Sequence, residues 1–182
     1  TVPRLLPPPR VRSVVSRPPW DESLKGRHEL WRWDGSLRDA YVLDATLDDW
    51  RALVAVMTAY PHEWTRDGEP ITALSVDSLF AGPRDASFVL GCRAGGATVN
   101  CHFFSQKVIA LDLDPREISG PVEHDAVLEL LERVARALAK TVFVTPEGAL
   151  NLGREGVRNA AFLSFDPKAE RWQVHPPPFV AS

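Results

Sequence analysis

The stretch from Thr98 to Pro115 reads TVNCHFFSQKVIALDLDP, and it decides the predicted fold. Apolar and polar residues alternate from Thr98 to Phe104 and again from Val108 to Asp114. This alternation is typical of β-strands that bury one face. A three-residue turn at Ser105 to Lys107 would join the two strands. The stretch therefore predicts an antiparallel hairpin.

The register of the hairpin follows from its apolar residues. A preceding strand, Ser87 to Arg93, is predicted to turn back at Gly96-Ala97, which places Cys92 directly opposite Cys101. The apolar residues then share one face of the sheet, and a one-residue slip would expose them to water. The buried set is Phe88, Leu90, Cys92, Val99, Cys101, Phe103, Ile109, Leu111 and Leu113, and the opposite face carries Asn100, His102, Asp112 and Asp114.

The rest of the chain adds further hairpins and two amphipathic helices. Thr46 and Asp49 have the spacing of a helix cap, and a second helix is predicted over Glu123 to Lys140, with Glu129, Glu132, Arg133 and Arg136 on its polar side. Strands that come in hairpins, rather than alternating with helices, predict an α+β two-layer sandwich, a mainly antiparallel sheet with both helices on one face. The other predicted strand pairs are Leu30 to Trp33 with Asp39 to Asp44 across an Asp34-Gly35 turn, a hairpin tip at Asp67-Gly68, a buried strand ending at Pro146, and a final hairpin turning at Asp166-Pro167.

The ends of the chain differ in composition from its middle. Residues 1–19 hold six prolines, which exclude a helix or a central strand and predict an extended arm. Residues 20–175 are expected to form one α+β domain, and residues 176–182 a proline-rich tail. With two cysteines in 182 residues the chain is no disulfide framework, so a reducing cytoplasm is the expected location.

The net charge of −3 conceals an asymmetry. The arm carries four arginines and no acidic residue, so the rest has 17 basic residues, which is 21 minus these four, against 24 acidic ones, a net charge of −7. An acidic body argues against a nucleic-acid partner and favours a basic protein partner. No apolar run approaches the length of a membrane span. The oligomeric state is left open.

Asp112 and Asp114 follow the apolar run Val108 to Leu111. In this they resemble the opening motif of the haloacid-dehalogenase-like phosphatases, an apolar strand that ends in two aspartates, one a nucleophile and the other an acid. The resemblance is confined to this short stretch. Pro115-Arg116 stands where that family has Gly-Thr, and the segments that follow predict one long helix and a hairpin instead of alternating strands and helices. We therefore interpret the aspartates as the polar positions of an alternating strand.

No metal or cofactor is predicted. Cys101 and His102 are neighbours on a strand, so their side chains point to opposite faces and cannot easily hold one ion. The five histidines show no zinc-binding spacing. No phosphate-binding loop or nucleophilic serine motif is present.

Two classes of function remain. The first is a non-catalytic module that binds another protein, as bacterial immunity and inhibitor proteins do, and its expected binding residues are Trp31, Trp33, Asp34, Asp112 and Asp114. Trp31 and Trp33 would share one face of a strand beside a turn, where aromatic side chains can anchor an interface. The alternative is a hydrolase-like enzyme with an acidic site at Asp112 and Asp114 or at Glu147.

Overall fold

An antiparallel β-sheet organises the chain. The computed structural model describes residues 16–20, 30–83 and 85–176. Within these ranges nine strands form one sheet in the order β3-β2-β4-β5-β6-β1-β7-β8-β9. The strands are β1 (Arg38–Leu43), β2 (His62–Arg66), β3 (Glu69–Ile71), β4 (Phe88–Ala94), β5 (Ala97–His102), β6 (Val108–Leu113), β7 (Val142–Pro146), β8 (Leu163–Asp166) and β9 (Arg171–Val174).

Four α-helices lie in the described residues: α1 (Leu47–Met57), α2 (Val76–Ala81), α3 (Pro121–Leu138) and α4 (Gly153–Asn159). Two short 3₁₀ helices, Pro115–Glu117 and Ala149–Leu152, complete the set. The predicted cap of α1 is present, because the Thr46 hydroxyl accepts from the Asp49 backbone while the Asp49 carboxylate accepts from the Thr46 backbone. No helix among these residues is long and apolar enough to cross a membrane.

The long helices α1 and α3 pack on one face of the sheet. Their apolar stripes join the sheet in one core, which confirms the predicted α+β fold with an antiparallel sheet. The stripes consist of Trp50, Leu53 and Met57 in α1 and of Val127, Leu130, Leu131, Val134 and Leu138 in α3. The apolar set predicted for β4, β5 and β6 is buried in the same core, except that Phe103 is only partly buried.

The opposite face of the sheet is partly covered as well. Val157 of α4 packs against Tyr41 and Leu43 of β1 in a second, smaller apolar cluster. The sequence predicts helices on a single face, so α4 adds a local third layer that was not expected. Helix α4 has only seven residues, and three of them are glycine or asparagine. A helix this short shows too little apolar periodicity to be predicted from the sequence.

The register between β4 and β5 differs from the prediction by two residues. The turn is Gly95-Gly96, so Cys92 pairs with Val99 and Leu90 pairs with Cys101. A shift of two keeps every side chain on its predicted face, because the side-chain period of a strand is two. Gly95 has a φ of 63°, and a Cβ there would stand 3.0 Å from the Ala126 side chain. A residue with a side chain would not fit so close to α3, which favours a turn with glycine at position 95.

The predicted strand from Leu30 to Trp33 is not formed. Both edges of β1 are occupied, by β6 on one side and β7 on the other, so no edge remains for a hairpin partner. The segment instead wraps the buried guanidinium of Arg38, which donates to the Leu30 and Arg32 carbonyls. These carbonyls are thereby satisfied outside a β-ladder.

Residues 16–20 lie against α3. The Arg17 guanidinium donates to the Glu132 carboxylate, with Nε 2.7 Å from Oε1. Glu132 is therefore buried, at 2% exposure, although its position in the sequence predicts a solvent-facing side chain. Most of the predicted arm, residues 1–15, and of the predicted tail, residues 177–182, lies outside the described residues.

Candidate functional site

The sheet face opposite α1 and α3 carries a row of polar side chains. The row crosses six neighbouring strands, because each of its members pairs with the next across the sheet. In such a row the side chains stand side by side on one face and interact directly. From β2 to β7 the row consists of Glu63, Gly91, Asn100, Asp112, Asp39 and Thr145.

Asp112 of β6 is the centre of a hydrogen-bond network. Its Oδ1 accepts from Asn100 Nδ2 at 3.0 Å, and its Oδ2 bonds His102 Nε2. Both partners lie on β5, at the predicted polar positions. Gly91 leaves room for this arrangement, since a Cβ there would stand 3.2 Å from the Asn100 side-chain oxygen. Asp112 thus fixes the orientation of both the imidazole and the amide.

The second ring nitrogen of His102, Nδ1, is buried and makes no hydrogen bond with any of the described residues. Phe104 lies parallel to the ring, with centroids 5.0 Å apart and an interplanar angle of 11°. Asp112 thus orients the imidazole through Nε2, and a substrate or partner would reach Nδ1 only after the side chains around it move.

Asp39 lies directly opposite Asp112 on the neighbouring strand β1. Its Oδ2 accepts from the Tyr41 hydroxyl at 2.5 Å and from the Gly148 backbone N–H at 2.8 Å. Burial raises the pKa of Asp39, and the charges of Asp112 and Glu147 add to this effect, which the two hydrogen bonds only partly oppose. Like charges directly opposite each other destabilise a sheet. The stability of the sheet therefore gives no reason for placing Asp39 opposite Asp112.

Two exposed aromatic rings accompany the aspartates of β6. Phe104 is 75% exposed above His102. Trp33 is 45% exposed, with the Arg116 guanidinium 4.0 Å from its ring centroid. Arg116 in turn is held by the Asp114 carboxylate, one residue past the end of β6. Phe104 is therefore held by the His102 ring, which Asp112 binds, and Trp33 is held by the Arg116 guanidinium, which Asp114 binds.

The other predicted binding residues have structural partners. Trp31 is 2% exposed, and its indole N–H donates to His124 Nδ1 at 3.0 Å, so it offers no surface to a partner. Asp34 accepts from the Ser36 hydroxyl and from Arg38. Desolvation acts to raise the pKa of Asp34, but these bonds outweigh it and lower the pKa to about 2. Asp34 therefore orders the loop before β1.

Glu147 belongs to the neighbourhood of the row. Its Oε2 accepts from the Leu37 backbone N–H at 3.0 Å, which ties the end of β7 to the start of β1. A cavity of about 240 Å³ lies at the other end of the row, lined in part by Glu63, Gly91 and Arg93. Its lining does not include His102, Asp112 or Asp39. Within the described ranges no three His, Cys, Asp or Glu side chains converge closely enough to hold a metal ion.

The sequence predicts that Asn100, His102 and Asp112 share one face of the sheet, but it does not predict that Asp39 lies beside them. The missing information was the pairing of β6 with β1, which are separated by two helices and four strands along the chain. Asp39 and Tyr41 do alternate with apolar residues in the stretch RDAYVL, and that alternation is the signal that could have assigned them to a polar face.

No protein family, no curated protein and no solved structure matches this chain. The function is therefore argued from the side chains themselves.

Proposed function

We propose that this protein acts by binding another protein through the surface around Asp112 and Asp114, without turnover of its own. The observation that carries the proposal is the pair of exposed rings, Phe104 and Trp33, each held beside one of these aspartates. Exposed aromatic side chains that are already fixed in position are favoured interface anchors, because they lose little conformational entropy on binding.

The charge of this surface supports a basic partner. Asp112, Glu117 and Glu147 lie on or beside it, and Asp39 adds a further carboxyl group, while Arg116 offsets the charge of Asp114. The body outside the N-terminal arm carries a net charge of −7, which attracts basic proteins and repels acidic ones at long range. Partner association should therefore slow as the salt concentration rises.

The test is capture of a partner from a lysate of the source organism, compared across matched variants. Phe104→Ala and Trp33→Ala should each weaken capture at least tenfold, the size expected for an interface anchor. Val122→Ala and Leu152→Ala remove apolar side chains elsewhere that are more exposed than Trp33 and about as exposed as Phe104, and they should leave capture unchanged. Capture that responds equally to all four variants would be non-specific adhesion and would contradict the proposal.

A hydrolase-like activity is the second candidate, and the network at His102 favours it. Asp112 orients the His102 imidazole, and Asp39, a carboxyl group of raised pKa, lies opposite Asp112 on β1, so residue types used in general acid–base catalysis share this face. A screen for phosphatase, esterase and nuclease activity tests this candidate. An activity abolished by His102→Gln and by Asp112→Asn, in variants that remain folded, would replace the binding proposal.

A further inference from the structure

A second cavity lies away from the polar row, at the other end of β1. Its volume is about 430 Å³, within the range of small-molecule sites. The end of α3, the last turn of α4 and the turn between β8 and β9 contribute to its wall. Leu43 and Phe143 supply an apolar part of the lining, Leu43 buried and Phe143 half-buried.

Three cationic side chains from separate parts of the chain converge on this cavity. Lys140 follows α3, Arg158 belongs to α4, and Lys168 lies in the turn between β8 and β9. The Lys140 ammonium is held in place by the Asp44 carbonyl, at 2.7 Å, and by the Asp49 carboxylate. Such a convergence is unexpected in a body with a net charge of −7.

The other two cations are available to a ligand. In the part of the chain that the structure describes, neither the Arg158 guanidinium nor the Lys168 ammonium makes a hydrogen bond or an ion pair with a side chain. Of the two acidic residues of the lining, Asp44 pairs with Arg154, whereas Asp166 accepts from the uncharged Lys168 backbone N–H at 2.8 Å and keeps its negative charge. Because Lys140 pairs with Asp49, the positive charges of Arg158 and Lys168 stand against the single negative charge of Asp166, and the cavity retains an excess of positive charge.

We propose that this cavity binds an organic oxyanion, either a phosphate monoester or a carboxylic acid, that carries an apolar body. Arg158 and Lys168 would bind the anionic group, since guanidinium and ammonium groups form charge-assisted hydrogen bonds with such oxygens. Leu43 and Phe143 would contact the apolar body. This site is independent of the protein-binding surface proposed above.

The experiment titrates the full chain at low salt with phenyl phosphate and follows the heat of binding. The comparison ligands are inorganic phosphate, which lacks the ring, and phenol, which lacks the charge. Phenyl phosphate should bind at least tenfold more tightly than inorganic phosphate, because the ring is removed from water against Leu43 and Phe143. Phenol should show no saturation at the same concentrations.

Matched variants locate the binding. Arg158→Gln and Lys168→Gln should each weaken the affinity for phenyl phosphate by roughly tenfold, as expected for the loss of a charge-assisted hydrogen bond. Arg66→Gln removes the same charge from β2, near the far edge of the sheet, and should leave the affinity unchanged. Thermal unfolding of each variant checks that it is folded.

Three results would overturn the proposal. One is the absence of saturable binding of phenyl phosphate up to about 10 mM, the weakest affinity expected of a specific small-molecule site. Another is equal affinity for phenyl phosphate and inorganic phosphate, which would leave no role for the apolar wall. The third is an equal loss in Arg66→Gln, which would mean that the anion responds to overall charge rather than to this cavity.

Discussion

Arg17 and Glu132 form an ion pair across 115 residues of chain, and the carboxylate is almost completely buried. The same carboxylate accepts from Trp172 Nε1 at 2.8 Å and from Arg136 at 3.2 Å. Glu132 thus joins the N-terminal segment, helix α3 and strand β9. Residues 16–20 are held against α3 by this ion pair and by a hydrogen bond between the Pro18 carbonyl and His124 Nε2.

Arg17→Ala is expected to lower the free energy of unfolding by about 1–3 kcal/mol, because it removes two hydrogen bonds from a buried carboxylate. Urea denaturation at neutral pH measures the change. Arg51→Ala is the control, since Arg51 pairs with Asp48 and Asp77 at the surface, where solvent screens the charges, and should change stability clearly less. Equal effects in the two variants would show that the Arg17 contact is no stronger than a surface pair.

The contribution of Glu132 should depend on pH. Burial acts to raise its pKa, but the hydrogen bonds from Arg17 and Trp172 and the nearby cations outweigh this and lower the pKa below 4.5. A depressed pKa in the folded state gives stability that is present above pH 4.5 and is lost as the pH falls through the folded value. The difference in unfolding free energy between the protein and Glu132→Gln should therefore shrink below pH 4.5. Urea titrations over pH 3 to 7 test this, and a constant difference would contradict it.

The fold could be predicted from the sequence where the pattern is local. The alternation in β5 and β6 fixed the buried face, and the two-residue error in the β4–β5 register left that face unchanged. The cap of α1 and the apolar stripes of α1 and α3 were equally visible, the stripes because their periodicity extends over several turns.

The polar row and the loop before β1 were not predictable in the same way. The pairing of β1 with β6 and β7 joins distant segments, and no local pattern specifies it. Asp112 was expected to be solvated, yet its bonds to Asn100 and His102 leave it only partly exposed. Glu132 was expected on the polar side of its helix, and only the docking of Arg17 and Trp172 explains its burial.

The two faces of β6 should respond differently to substitution. Leu111 is 1% exposed in the core, so Leu111→Ala should destabilise the protein by about 2–5 kcal/mol through lost packing and the cavity left behind. Asp112→Asn, at the adjacent position, preserves the shape of the side chain but replaces one of its two accepting oxygens by an NH2 group, so it should destabilise the protein by a smaller amount, about 1–2 kcal/mol. Chemical denaturation compares them. A larger effect at Asp112 than at Leu111 would mean that the polar network, rather than the core, holds this strand.

The cysteines should be unreactive in the folded protein. Cys92 and Cys101 are both buried and unbridged, and they do not pair with each other across the sheet. Burial raises the pKa of Cys92 to about 11 and that of Cys101 above its ordinary value, so little thiolate forms at neutral pH. A thiol reagent should therefore react slowly with the native protein and rapidly with two thiols in denaturant. Rapid reaction of either thiol before unfolding would show that β4 or β5 opens locally.

Asp39→Asn is expected to stabilise the protein at neutral pH. The folded state raises the pKa of Asp39 above 3.8, so the carboxyl group binds its proton more readily in the folded than in the unfolded chain. Stability therefore increases as the pH falls from the folded pKa towards 3.8, and the charge costs stability above the folded pKa. Asparagine can still accept from Tyr41 and Gly148 through one oxygen while removing the charge opposite Asp112. The gain should be up to about 1 kcal/mol at pH 7 and should vanish near pH 4.

Thermal unfolding at both pH values measures it, with Glu155→Gln in α4 as an exposed control. A loss of stability at pH 7 would show that the Asp39 charge is compensated in the folded state. If instead Asp39→Asn is more stable but binds the partner less well, then the like-charge pair is retained for binding at the expense of stability.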